Sequence, residues 1–139
     1  MSYLPLRLHP GADLRQSLEE AVRASGGTSA FVVSGIGSLS NARLRFAGAE
    51  SETSLAGMFE ILCLSGTLAE SGAHLHMAIA DEHGHVTGGH VCYGNVVRTT
   101  AEVLLTQLSE WTLAREQDTN TGFKELVIRP SGKRTESAA

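Results

Sequence analysis

The sequence has little of what marks several specialised classes of protein. Its 139 residues include two cysteines, Cys63 and Cys92, which lie too far apart for a CxxC metal or redox motif. It contains no run of about 18 apolar residues that could span a membrane. The first residues, MSYLPLRLHPG, hold no apolar leader segment. We therefore expect a cytoplasmic protein whose cysteines are free thiols.

Basic charge is also scarce. Eleven Lys and Arg residues stand against fifteen Asp and Glu, which gives a formal net charge of -4. Proteins that bind nucleic acid normally carry a basic stripe, but the arginines of this chain are scattered along its length. The composition therefore argues against DNA binding by this chain alone.

Two common catalytic or cofactor motifs are missing. Gly35-Ile-Gly-Ser-Leu-Ser40 begins like a dinucleotide fingerprint, but Ser40 stands where the third glycine belongs, and the next residues alternate instead of opening a helix. A tight glycine turn between two strands is the prediction here. No G-x-S-x-G nucleophile elbow occurs.

The hydrophobic pattern predicts an α+β fold. A helix is expected over 11–26, with Asp13 as N-cap and an apolar stripe that ends at Gly26-Gly27. The predicted strands include the following segments: 30–36, 39–46, 58–68, 74–80, 85–93 and 95–108, the last ending in a short helix near Trp111. The whole predicts a mostly antiparallel sheet of about seven strands with one principal helix, in one compact domain over 3–129 and a flexible tail over 130–139.

Five of the six histidines fall in HLHMAIADEHGHVTGGHV, residues 74–91. His74 and His76 share one face of a strand because side chains alternate along it. The direction of His90 depends on the hairpin register. A four-residue loop over 81–84 would place His90 on the apolar face, and a bulge at Gly88-Gly89 would return it to the face of His74 and His76. We predict that bulge, so Gly88 and Gly89 would shape the site.

Three imidazoles on one face suit Zn²⁺ or a similar divalent ion, with a fourth position open for water or a ligand. The alternative is that these histidines make hydrogen bonds within or between subunits. His83 and His85 flank the hairpin turn and are expected to be solvated.

A metal-assisted enzyme would need a general base near the ion. The local carboxylates are Glu60, Glu70 and Asp81, and none is placed well enough to be assigned a catalytic role. Glu60 stands in an apolar strand, where its carboxylate needs a partner. It could form a buried ion pair, or it could accept a hydrogen bond from one of the metal-binding histidines and so orient that ring.

Four segments of the chain resemble the plant-and-prokaryote conserved (PPC) domain, also described as a PD1-like family of DNA-binding proteins. They are SGIGSLSNARL (34–44), GMFEILCLSGTL (57–68), HLHMAIADEHGHVTGGHV (74–91) and TAEVLLTQL (100–108), and the likeness runs from about Leu6 to Ile128.

The resemblance implies a compact α+β domain that forms a homotrimer. It also implies a metal site at His74, His76 and His90 near a subunit boundary. A small ligand at that boundary and a role as a DNA-associated regulator are further expectations. Met58 stands where plant members commonly have arginine, and the basic arm by which plant members bind DNA has no counterpart in this chain.

Overall fold

The structure is a computed structural model that describes residues 2–132. Its elements, in chain order, are β1 Ser2–Leu8, α1 Leu14–Ala24, β2 Ala30–Arg45, β3 Thr53–Ala69, β4 Gly72–Ala80, β5 Val86–Val91, β6 Val96–Gln107, β7 Trp111–Gln117 and β8 Lys124–Pro130. The predicted α+β class and antiparallel sheet are confirmed. The described residues contain eight strands, where the sequence predicted about seven.

Six strands form one sheet in the order β1-β6-β2-β3-β4-β5, and β7 with β8 forms a separate hairpin. Strand β5 also returns to the end of β2, where Leu44 pairs with Val91 and Arg45 pairs with His90. Strands β2, β3, β4 and β5 therefore close into a ring. This closure brings residues 45 and 90 together although they are far apart in sequence.

Helix α1 covers the inner face of the sheet. Asp13 caps it by accepting a hydrogen bond from the Gln16 amide at 2.9 Å, as the sequence predicts for this residue. Leu14, Leu18 and Val22 form its buried stripe and pack toward β3, β4 and β6. The helix end is fixed by backbone bonds from the two glycines that follow it.

The alternation along β4 divides the molecule into a core side and an outer side. Leu75, Met77 and Ile79 are at most 3% exposed and join the core. His74 and His76 have the opposite parity, so they point to the outer face. This division places the histidines on a fully formed sheet whose inner face is packed.

The segments 30–36 and 39–46, predicted as separate strands with a glycine turn between them, form one continuous strand, β2. The turn prediction was wrong because the glycines serve close packing instead. A Cβ at Gly37 would lie 2.6 Å from the Cα of Ala101 on β6, and a Cβ at Gly35 would lie 2.9 Å from the Cβ of Leu64. Glycine lets β2 pass between its two neighbours at these points.

The helix predicted near Trp111 is absent from the described residues, because Trp111 begins β7. Strand β7 turns back into β8 through residues 118–123, where the Asp118 amide donates to the Phe123 carbonyl. Leu113 is 2% exposed, and its amide donates to the Ser29 hydroxyl at 2.9 Å. A buried apolar contact and a turn thus favour a hairpin over a helix here, and β7 is a strand that the sequence did not predict.

The predicted tail over 130–139 lies mostly outside the described residues, and Pro130 is the last residue of β8. Cys63 and Cys92 are free thiols. None of the helices in residues 2–132 has the length and apolar character needed to cross a membrane.

Candidate metal centre

Three imidazoles meet on the outer face of β4 and β5. The Nε2 atoms of His74 and His76 are 3.0 Å apart, and the Nε2 of His74 lies 3.3 Å from the Nδ1 of His90. One ligand atom from each ring can be chosen so that all three lie within 4.8 Å of one another. The structure therefore brings together the three histidines that the sequence singled out.

His90 points to this face, as predicted, but for a different structural reason. His76 pairs directly with His90, and the register runs without a shift to Ala80 opposite Val86. The predicted bulge at Gly88-Gly89 is therefore wrong. The hairpin loop holds five residues, 81–85, instead of four, and this one-residue difference turns His90 to the outer face without a bulge.

The length of the loop is set by Asp81. One of its carboxylate oxygens accepts hydrogen bonds from the amides of His83 and His85, at 2.9 and 2.8 Å. The backbone of Asp81 also bonds to the carbonyl of His85, and Gly84 supplies a positive φ of 79°. The bonds to the two amides hold the pKa of Asp81 below its usual value. Asp81 thus orders the turn, and its carboxylate is occupied there instead of serving as a base for the site.

Glycine is required at positions 88 and 89 by close strand packing and not by the predicted bulge. A Cβ at Gly88 would lie 2.6 Å from the carbonyl oxygen of Met77, and one at Gly89 would lie 2.8 Å from that of Arg45. The glycines let β5 approach β4 on one side and β2 on the other. That double approach holds His90 beside His76.

The geometry suits a small divalent cation. Tetrahedral zinc with Zn–N bonds of about 2.0–2.1 Å needs ligand nitrogens ~3.3 Å apart. The two closest separations, 3.0 and 3.3 Å, agree with that value. Each neutral imidazole offers one N–H and one lone pair, and a cation could be held by the three lone pairs that converge here. His74, His76 and His90 would hold the ion, which would supply a Lewis acid with one open position.

Electrostatics favour the neutral, metal-binding form of two of the rings. Burial lowers the pKa of His74 to about 4, with the charge of Arg115 adding to the effect and Glu125 opposing it. Burial also lowers the pKa of His90, and the charge of Arg45 acts in the same direction. Because metal binding requires a deprotonated imidazole nitrogen, a neutral His74 is ready to bind an ion near neutral pH.

The remaining histidines and the carboxylate of Glu60 lie away from the three-histidine cluster. His83 and His85 are exposed in the hairpin loop, and His9 is exposed beyond β1. Glu60 is exposed and pairs with Ala80, which is four residues, or about 13 Å, along β4 from His76. Within one chain Glu60 therefore neither reaches the histidines nor is buried in an ion pair, and a partner for it across a subunit boundary stays a prediction.

A cleft of about 1130 Å³ opens beside His74 and His90. Arg45 from β2 and Arg115 from β7 line it together with the two histidines. Neither arginine was predicted from the sequence to belong to the site. No local motif marks them, since Arg45 comes close only through the ring closure and Arg115 only through the β7–β8 hairpin.

Three comparisons relate the chain to known proteins. A family model described as the Plants and Prokaryotes Conserved (PCC) domain matches residues 1–109. The bifunctional protein GlmU of Synechococcus sp. is 44% identical over 126 residues, and the matched part is 91% of this chain but 20% of that protein. This chain therefore spans about one fifth of the length of that relative.

Two solved structures extend the likeness to the fold. A hypothetical protein from Salmonella enterica is 38% identical, with a TM-score of 0.90 over 93% of this chain and 94% of that one. A metal-containing protein from Archaeoglobus fulgidus is 28% identical, with a TM-score of 0.79 over 91% of this chain and 94% of the other. The matches cover nearly all of the described residues.

Proposed function

We propose that this chain, which belongs to the Plants and Prokaryotes Conserved domain family, is a metal-binding protein. His74, His76 and His90 hold one divalent ion, and the fourth coordination position is left for a small ligand. The observation that carries this proposal is the convergence of three imidazole nitrogens within 4.8 Å on one sheet face. The metal-containing relative from Archaeoglobus fulgidus supports it.

Zinc is the ion we propose. An all-imidazole set suits zinc, copper, iron and nickel better than magnesium or calcium, which prefer oxygen ligands. Three protein ligands with one open position are typical of zinc sites that bind or activate a small molecule, whereas structural zinc sites usually have four protein ligands. Among the described residues the candidate ligand group contains only the three histidines, so neither cysteine supplies a fourth protein ligand.

Elemental analysis of untagged protein, purified without chelator, tests the proposal. We expect close to one zinc ion per chain in the wild type and none in a variant with alanine at positions 74, 76 and 90. Because all three side chains lie on the outer face, the variant should keep its fold, which circular dichroism would check. Wild-type protein without metal, even after incubation with zinc, would contradict the proposal and make DNA association the function to test next.

We further propose that the chain forms a homotrimer, as the family resemblance implies. Large apolar side chains on β2 and β3 support an interface there. Val33, Ile36 and Leu62 are 50–53% exposed, and Met58 is 45% exposed. Gly37 pairs with Ile61, which puts Ile36 and Leu62 side by side on the opposite face. Exposed apolar side chains that lie side by side, as Ile36 and Leu62 do, are typical of contact sites between proteins.

Light scattering coupled to size-exclusion chromatography checks this assembly. The wild type should have about three times the 14.7 kDa mass of one chain. Leu62→Glu should shift the mass toward one chain, because a carboxylate buried without a partner in an apolar interface costs several kcal/mol. Ile128→Glu is the matched control, since Ile128 is similarly exposed, at 53%, but lies on β8, outside the six-stranded sheet. A wild type that elutes as a monomer would contradict the trimer.

A further inference from the structure

Basic side chains gather in the cleft beside the histidines. Four basic residues line it against two acidic ones: Arg15, Arg45, Arg115 and Lys124 against Glu50 and Glu125. This local excess contrasts with the net charge of -4 for the whole chain. Even with Arg15 paired to Glu19, the cleft keeps a positive excess on an acidic protein, and a divalent ion would add to that excess.

Two of the arginines stand close to the proposed metal ligands. Arg45 pairs with His90 across β2 and β5, and cross-strand partners have their Cβ atoms about 4.5–5.5 Å apart. Arg115 donates a hydrogen bond to the Thr67 hydroxyl at 3.2 Å, and Thr67 pairs with His74. The two guanidinium groups thus approach the histidine cluster from β2 and from β7.

Neither guanidinium is neutralised by a carboxylate. Among the described residues, Arg15, Arg43 and Arg129 form salt bridges within 4.0 Å, and Arg45 and Arg115 form none. Arg45 makes one long hydrogen bond, 3.4 Å, to the carbonyl of Ala49. Both therefore keep N–H groups free for a ligand in the cleft.

The position of these charges is unfavourable for a metal alone. Two guanidinium groups beside a divalent cation repel it, and burial in the cleft weakens the screening of that repulsion by water. An anion bound to the open coordination position would offset the repulsion. Guanidinium groups also match the planar geometry of carboxylate and phosphate oxygens.

We propose that the cleft binds a small oxyanion ligand, with one oxygen of a carboxylate or phosphate group on the metal and the others held by Arg45 and Arg115. This inference rests on the proposed metal site and adds the chemical class of its ligand. The cleft, at about 1130 Å³, leaves room for the rest of a metabolite beyond its anionic group.

Titration calorimetry on zinc-loaded protein tests the inference, with inorganic phosphate in one arm and succinate in the other. The buffer should have low ionic strength, about 0.05 M, so that charge interactions are not screened. We expect at least one of the two anions to bind. Arg45→Gln and Arg115→Gln should each raise its Kd roughly tenfold, because each removes a charged hydrogen-bond donor. The arm that responds identifies the anionic group.

Matched controls separate this role from general effects of charge. Arg43→Gln removes an arginine two residues from Arg45, and Arg129→Gln removes one from the same hairpin as Arg115; both are engaged in salt bridges and lie outside the cleft. Their Kd values should match the wild type, and all four variants should keep their zinc.

Three results would overturn the inference while the proposed metal site stands. The zinc-loaded wild type could bind neither anion, the two control variants could weaken binding as much as the cleft variants, or the triple histidine variant could bind the anion as tightly as wild type. Failure of the wild type to take up zinc is distinguishable from these, because it contradicts the proposed function itself.

Discussion

His76→Ala should lower the affinity of the protein for zinc by more than about 100-fold. Loss of a residue that only supports a metal ligand typically costs 10–100-fold, and His76 is a proposed direct ligand. Its Nε2 lies 3.0 Å from that of His74, and it pairs with His90 across the hairpin, so it is central to the cluster. The two remaining imidazoles would leave half of a tetrahedral site to water. Competition with a chromophoric zinc chelator measures the change.

His83→Ala is the matched control for this prediction. His83 lies in the same hairpin but is exposed in its loop, away from the cluster. Its replacement should leave zinc affinity unchanged within the error of the competition assay. His76 is itself exposed on the outer face, so His76→Ala should unfold at nearly the wild-type temperature when both proteins are metal-free. Equal zinc affinity in the wild type and His76→Ala would show that the three-histidine assignment is wrong.

Gly66→Ala should lower the free energy of unfolding by about 3 kcal/mol or more, through backbone strain and overpacking together. Gly66 has a φ of 135°, a backbone conformation that residues with a side chain rarely adopt. A Cβ there would collide with the carbonyl oxygen of His74 and lie 2.8 Å from the Cα of Leu75. Both contacts are to backbone, so no side chain can move to relieve them. Urea denaturation with a constant m-value measures the loss.

Gly57→Ala separates the two contributions. Gly57 has a comparable φ, 145°, but a Cβ added to it would lie 3.6 Å from the nearest atom, in the Phe59 ring, which is ordinary van der Waals contact. Its replacement should therefore cost only the conformational strain, about 1–3 kcal/mol. Gly66 pairs with Leu75, between the two histidines of β4, so Gly66→Ala should also weaken zinc binding as β3 and β4 move apart. Equal destabilisation by the two substitutions would contradict the close-contact explanation.

The sequence could predict those parts of the fold that depend on local periodicity. The stripe of Leu14, Leu18 and Val22, with Asp13 before it, was enough to predict α1. The alternation of Leu75, Met77 and Ile79 against the histidines was enough to assign the two faces of β4. In both cases the prediction depends on residues that are close in sequence. The family resemblance implied the same fold class.

Hydrophobic periodicity alone could not decide features that depend on loop length or on distant contacts. The direction of His90 depended on whether the loop held four or five residues, and the hydrogen bonds that Asp81 accepts from the His83 and His85 amides decide that. The spacing of Asp81 and Gly84 is a turn signal that could have indicated the longer loop. The Asp118–Gly122 segment is a similar signal and could have revealed β7. Arg45 and Arg115 gave no such signal, because their place at the site follows from tertiary packing.

The pairing of β1 with β6 has a consequence for how the chain is made. Leu8 pairs with Ala101 and Ser2 with Gln107, so β1 meets its partner only after about 100 further residues have been added. At roughly 5–20 residues per second, that delay lasts about 5–20 s on the ribosome. Pairing of such distant segments also belongs to the slower class of folding events. A nascent chain stopped after residue 95 would therefore hold β1 without its partner and leave one edge of β2 open to other chains.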